Sequence, residues 1–263
     1  RLTDSRIEIS LAGGRFNGPG LPPPLTDEEI KADFNVEQTR FDVIGELPPV
    51  RDVNATVSVR GAHTTIKLDK GVAYTPDNRQ ADVSEGTLFI PWGPQRPVIA
   101  NLDLLVSGQA AAIAEIAGKK PIDVLKNVPF LPQDVTGDVK SRVKVSFAVS
   151  KDPPPGTLKW EADIGFKNLS IGKPVGGSKV TDADGNIKVD QTAAIITADA
   201  KLDGIPAKIT MTEPVDRSGP AKRDQQVRLE IDDKSRDKVL PGLKDVFSGP
   251  ISIDLGMEEN GKR

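Results

Sequence analysis

The chain has 263 residues, 37% of them hydrophobic but only 4% aromatic, with a formal charge of -3 and no cysteine. Acids and bases are interspersed, so no basic stripe exists to track a phosphate backbone, and nucleic acid is not an expected partner. Without cysteine there are no disulfides, thiolate chemistry or cysteine-ligated metals, and no apolar run reaches the roughly 20 residues that a membrane-spanning helix needs.

Arg1 to Leu11 reads as a strand already under way at the first residue. That points to a piece of a longer protein, with any anchor or export signal outside it. Gly13 to Pro24 reads as a loop, because Pro22-Pro23-Pro24 cannot join a sheet interior. Thr26-Asp27-Glu28-Glu29 has capping-box character, but the following residues turn extended, so at most one helical turn is expected. Phe34 to Ile44, Val53 to Val59, Thr64 to Leu68, Gly71 to Tyr74 and Val83 to Ile90 then read as successive strands. Pro48-Pro49, Gly61, Lys70-Gly71 and Pro76 to Gln80 separate them.

Pro91 to Pro97 closes that run, and Val98 to Val106 resumes it. Gln109 to Ala117, rich in alanine and with Ile113 and Ile116 on one side, is the one convincing helix. Pro121 to Val128 predicts a second, short one, and together they suit an end or edge of the sheet. In Asp138 to Val149, residues Val139, Val143, Val145, Phe147 and Val149 share one face, and Lys140, Arg142, Lys144 and Ser146 the other. Pro153 to Gly156 separates this strand from Leu158 to Ile171. Asp184-Gly185 and Asp203-Gly204 both read as tight hairpin turns, the second between Ala193 to Leu202 and Ile205 to Thr212. A charged loop at Arg217 to Asp224, a strand at Val227 to Ile231, a short helix near Asp233 to Lys238 and a strand at Ile251 to Leu255 complete the chain. The expectation is one β segment over residues 1–263, with the start of a further unit from about residue 225.

Chemistry-bearing groups are sparse. His63 is the only histidine and has no carboxylate pair or cysteine in its sequence neighbourhood, so a metal site or triad is not expected. Asp182-Ala183-Asp184-Gly185-Asn186 resembles a calcium loop, but its glycine comes too early and no glutamate follows at the required distance. Gly172 to Lys179 lacks the order of a phosphate loop and reads as a connector. Trp160 falls on the apolar side of its strand and Trp92 lies between prolines, which suits packing better than a carbohydrate platform. Ser146 and Ser252 lack a nucleophile-elbow context, and the adjacent pairs Glu28-Glu29 and Asp232-Asp233 point to opposite faces and read as solvated. The chain is therefore expected to be no enzyme, with no cofactor and no metal.

What remains is a repeated one-sided alternation. It marks Val57 and Val59; Leu102, Leu104 and Val106; Val143, Val145, Phe147 and Val149; Trp160, Ile164 and Phe166; Ile196 and Leu202; and Ile209 and Met211. Such a face is covered by a second sheet in a β-sandwich, or left partly open for acyl chains, which require continuous apolar lining and no hydrogen bonds.

The phrase Leu47-Pro48-Pro49-Val50-Arg51-Asp52-Val53, after Phe34-Asn35-Val36 and Phe41 to Glu46, resembles the AsmA-like family of Gram-negative envelope proteins, in particular its YhdP-type, TamB-related members. The resemblance continues through Arg60 to Leu68, Lys70-Gly71-Val72, Val83 to Pro91, Leu105 to Ala111, Val135-Thr136-Gly137 and Ala200 to Ala207. It departs at Met211-Thr212-Glu213, where relatives usually carry tryptophan. The resemblance implies a mainly β fold, an elongated, curved antiparallel sheet forming an open groove (a β-taco) with one or two short helices. It further implies a periplasmic segment whose parent is anchored in the inner membrane and carries phospholipids toward the outer membrane. The site residues are then the apolar faces named above, the partners phospholipid acyl chains, with self-association through the groove as a further expectation. The other expectations are a covered structural or interaction module of the envelope and a carbohydrate-binding β-sandwich.

Overall fold

The computed structural model describes residues 1–18, 20, 23–43, 45–215, 221–233, 235–236 and 249–258. The protein is mainly β, with one open antiparallel sheet of thirteen strands in which every strand hydrogen-bonds to its sequence neighbours. The strands are β1 (Leu2–Ile9), β2 (Ile30–Phe41), β3 (Val50–Arg60), β4 (His63–Tyr74), β5 (Gln80–Pro91), β6 (Ile99–Gln109) and β7 (Val135–Ala148). They continue as β8 (Lys159–Ile171), β9 (Val180–Asp190), β10 (Ala193–Leu202), β11 (Ile205–Pro214), β12 (Asp224–Ile231) and β13 (Ile251–Glu258). The helix α1 (Ala110–Ala117) and two 3-10 turns, Val124–Asn127 and Pro132–Asp134, lie between β6 and β7. The chain divides into two compact units, Arg1–Val106 with Arg142–Trp160, and Ser107–Ser141 with Glu161–Arg263. The strands from residue 224 onward belong to the second unit.

Two glycine assignments made from the sequence are overturned, for one reason. Lys70-Gly71 does not separate two strands; β4 runs through it, with Gly71 opposite Val83. A Cβ on Gly71 would stand 2.6 Å from Val50 Cγ1 and 2.9 Å from Val53 Cγ2, so this glycine gives room to neighbouring side chains. Asp184-Gly185 likewise makes no turn, because it lies inside β9, opposite Asp199 and Ala198. A Cβ there would stand 2.7 Å from Phe166 Cζ and would collide with the Thr197 carbonyl oxygen. The turn into β9 comes earlier, where Val175 and Ser178 exchange backbone hydrogen bonds of 2.9 and 3.1 Å. Asp203-Gly204 is the two-residue hairpin expected, with both φ angles positive (51° and 85°) and Leu202 opposite Ile205.

Strand lengths differ from expectation where β-bulges let the apolar pattern change phase. Val50 and Val53 are three residues apart yet both face Gly71, because Asp52 between them has φ 54°. Asn168 (φ 51°) separates Phe166 from Leu169, and Asp182 (φ 50°) separates Val180 from Ala183. All four of those apolar residues belong to one hydrophobic cluster. An extra residue frees a backbone amide, and side chains of the adjoining strand take it up. The Gln38 N–H donates to Asn54 Oδ1 (3.2 Å), that of Asn168 to Asp184 Oδ1 (2.7 Å), and that of Asp182 to Ser170 Oγ (3.2 Å).

Helix α1 forms where expected, after Gln109 as its N-cap. It sits on the apolar face of the second unit, where Ala110 and Ile113 pack into the cluster of Val135, Val139, Phe166, Ala198 and Ala200. The second expected helix is reduced to the 3-10 turn Val124–Asn127. At Thr26 the single expected turn is present, the Thr26 N–H donating to Glu29 Oε2 (2.8 Å), and β2 begins directly after it at Ile30. Glu29 is not solvated as read from sequence. Its carboxylate pairs with Arg15 at side-chain exposures of only 15% and 12%, tying the loop after β1 to the start of β2. Pro22, Ile44, residues 217–220 of the charged loop, and Lys234, Asp237 and Lys238 of the last expected helix lie outside the described residues. Asp233, Ser235 and Arg236 within that stretch are helical.

Enlarging Gly185 to leucine is expected to lower stability by about 1–3 kcal/mol, because backbone and an aromatic ring already occupy the space. The change Gly204→Ala, into open space at positive φ, should cost about 1 kcal/mol. Urea midpoints of the two variants check the contrast. The Arg15 hydrogen bond, with help from the Thr26 amide, depresses the Glu29 carboxyl from 4.5 to about 2. Its contribution is therefore complete above the ordinary value and lost as pH falls through the folded one. Amide exchange at Ser10, whose N–H donates to the Glu29 carbonyl (2.9 Å), should keep its protection down to about pH 5 and lose it toward pH 2. Glu29→Gln should remove that pH dependence.

Candidate functional site

The candidate site is a face rather than a cleft, and strand register assembles it. In the first unit Phe34, Val57, Ile66 and Leu88 stand directly opposite one another across β2 to β5. The next row holds Val36, Ala55, Leu68 and Gly86, with Leu104 Cβ 3.5 Å from where a Gly86 Cβ would be. Antiparallel partners point to the same side of a sheet, so these rows form one apolar surface. In the second unit one row runs Ile164, Ile187, Ile196, Met211, Gln225 and Met257 across β8 to β13. Its neighbour runs Phe166, Gly185, Ala198, Ile209, Val227 and Leu255.

The opposite face is polar and internally bonded. Arg60 Nη2 contacts both oxygens of Asp33 at 2.8 and 2.7 Å, and Ser58 Oγ donates to the same carboxylate at 2.7 Å. These bonds, the Arg60 one foremost, hold the Asp33 carboxyl below the usual carboxylate range. Ser146 Oγ donates to Asn101 Oδ1 (2.7 Å), and Arg142 pairs with Asp103 (2.5 Å). Those contacts place Asn101, Asp103, Arg142 and Ser146 on the polar side, and by alternation Leu102, Val143, Val145 and Phe147 on the apolar one. In the second unit Lys201 pairs with Asp182 (2.9 Å) and Arg228 with Asp254 (3.4 Å).

Burial on the apolar face runs against the usual order. The described residues that are fully buried are mostly alanine and valine, and only Leu105, Phe166 and Ile231 among the apolar ones are larger. Ile66, Leu68, Leu88, Ile164, Ile187, Ile196, Ile209 and Met211 remain half-buried. Large aliphatic residues are normally among the most buried. An alanine sinks between taller neighbours without any second layer above it, whereas the tall side chains need one. At the outer strands the same face is fully exposed, with Leu2, Ile7 and Ile9 on β1 at 60–67% and Leu255 and Met257 on β13 at 53% and 66%.

The residues marked from sequence are distributed over this surface unevenly. Val57 and Phe166 are buried at 6% each, so they support the face more than they present it. Val59, Leu102, Leu104, Val106, Val143, Val145, Phe147, Trp160, Ile164, Ile196, Leu202, Ile209 and Met211 are half-buried. Val149 is exposed, its N–H donating to the Val98 carbonyl (2.8 Å) beyond the end of β7. Phe34, Ile66, Leu88, Ile187 and Val227 also belong to the rows, and their signal was the same alternation within strands already recognised. Leu105, of the opposite parity to Leu104, is buried at 9%, which period-two reading does not anticipate.

Polar candidates are engaged elsewhere. His63 Nδ1 lies 3.6 Å from Asp27 and its ring is tilted against Phe89. Asp182 and Asp184 are strand residues rather than loop ligands, and no group of three or more metal-ligating side chains occurs among the described residues. Trp92 donates its Nε1–H to Thr64 Oγ1 at 2.9 Å.

The arrangement can shield apolar matter from water on one side and stay hydrated on the other. Phe166→Ala, which opens a buried site, should destabilise by about 3–5 kcal/mol, whereas Ile196→Ala, on the half-exposed row, should cost less than about 2 kcal/mol. Thermal or urea unfolding of the two variants measures the difference. Comparison of the chain with protein-family models, curated proteins and solved structures gave no match.

Proposed function

We infer that this chain is a lipid-shielding segment of a bridge-like transfer protein of the AsmA-like, YhdP type, acting in the periplasm as part of a parent anchored in the inner membrane. The observation that carries the reading is the inverted burial of the apolar face, with small residues sunk and large aliphatic ones half-exposed along aligned rows. A surface made mainly of isoleucine, leucine, valine and methionine, with few aromatic rings, offers few hydrogen bonds and little stacking. It therefore suits saturated and unsaturated acyl chains and little else.

Each methylene removed from water contributes about 0.8 kcal/mol when fully buried. A chain lying on an open face buries part of its surface, so binding grows with length and depends on no single contact. Neighbouring positions along such rows are nearly equivalent in energy, which permits sliding. Head groups remain in water, and no catalytic step is needed for passive shielding.

The experiment is native mass spectrometry of the chain purified from a Gram-negative host, followed by organic extraction and lipid analysis. Phospholipid should co-purify with the wild type and be lost in Val145→Asp and Leu104→Arg, which place charge on the half-buried face while leaving a cooperative melt. A lipid-free monomer, or unchanged lipid occupancy in those folded variants, would overturn the reading.

A further inference from the structure

Beyond the aligned rows, the first unit carries a depression of about 530 Å³ lined by Trp92, Arg96, Val98, Val149, Asp152 and Pro154. Its floor continues the apolar face, since Val98 and Val149, one residue beyond β6 and β7, share the parity of Ala100 and Phe147 and are joined by the 2.8 Å backbone bond. Its rim is charged with both signs. Arg96 is oriented by Nη1 bonds to the Gly93 and Gln95 carbonyls (2.6 and 3.0 Å) and makes no ion pair among the described residues. Asp152 sits in a turn pinned by Ser150, whose Oγ donates to the Asp152 carbonyl (3.2 Å) and accepts the Asp152 N–H (3.3 Å). Its carboxylate also makes no ion pair among the described residues. Trp92 is 46% exposed although its indole N–H is tied to Thr64, the disposition of an aromatic at an apolar–aqueous boundary. Each of the two loops that bring these groups together, 91–97 and 151–157, carries three prolines, so little conformational freedom remains to be lost on binding.

We propose that this depression is a head-group subsite for a zwitterionic phospholipid of the ethanolamine type. The phosphate meets Arg96, the ammonium meets Asp152, and the acyl chains run from Val149 and Val98 onto the apolar face. The subsite rests on the lipid-shielding reading and adds selectivity to it. A uniform aliphatic surface cannot distinguish head groups, whereas paired charges of opposite sign at its margin favour a zwitterion over an anionic lipid.

The chain holds two tryptophans, so Trp160→Phe leaves Trp92 as the single fluorophore and Trp92→Phe leaves Trp160, on the apolar side of β8. Each variant is titrated with vesicles of acyl-brominated phosphatidylethanolamine or phosphatidylglycerol, bromine being a short-range quencher. Trp92 should be quenched about threefold more effectively by the ethanolamine lipid, the size of effect expected of an exposed ion pair. Asp152→Asn should abolish that preference, and Arg96→Gln should weaken quenching by both lipids. Soluble phosphoethanolamine at equal concentration should not displace the lipid; displacement would show that the head group alone is the ligand and overturn the linked chain site. Equal quenching of Trp92 by the two lipids, or a preference that survives Asp152→Asn, would overturn the subsite. Quenching at Trp160 without quenching at Trp92 would remove the subsite and leave the shielding reading standing. No quenching at either tryptophan would remove both.

Discussion

In this sheet every strand hydrogen-bonds to its sequence neighbours, and among the described residues a single α-helix packs on its apolar face. The rest of this structure follows from that constraint. The apolar side chains of successive strands line up in rows that point one way, and beyond α1 no described helix is long enough to cover them. The chain accommodates this by placing alanine and valine between taller residues, so that many contacts form within the face itself. Phe166 over Gly185 shows the limit of the device, because its ring is buried only where a glycine leaves the floor empty.

Bulges keep that face coherent. Side chains alternate along the strands except where the apolar pattern shifts phase, at Asp52, Asn168 and Asp182, and a left-handed residue at each point restores the facing. Asp and Asn tolerate that conformation better than most residues, and at Asn168 and Asp182 side chains of the adjoining strand accept the freed amides. The polar face supplies these acceptors, so the two faces are not independent: one displays apolar surface, and the other secures the backbone geometry that aligns it.

Function on this reading resides in surface continuity rather than in a constellation of reactive groups. The ion pairs of the polar face, such as Arg60 with Asp33, organise strands. The depression beside Trp92 differs from the rest, because there the aliphatic surface meets Arg96 and Asp152, which make no ion pair among the described residues.

Period-two alternation, the proline-rich separators, the alanine-rich helix and the Asp203-Gly204 hairpin were legible in the chain because each depends on neighbours within a few residues. Alternation alone also identified most of the apolar face. The roles of Gly71 and Gly185 were not legible: a glycine beside an aspartate or lysine reads as a turn, and only the side chains of adjoining strands reveal that it makes room for Val50, Val53 or the Phe166 ring. The pattern apolar–x–polar–apolar at 50–53, 166–169 and 180–183 was present in the sequence, but its meaning required the register that brings both apolar ends to one side. The sequence by itself therefore determined that one face would be aliphatic, since side-chain direction in a strand is a local property. Only the tertiary structure decided how much of that face stays uncovered, because burial depends on what packs from elsewhere in the chain.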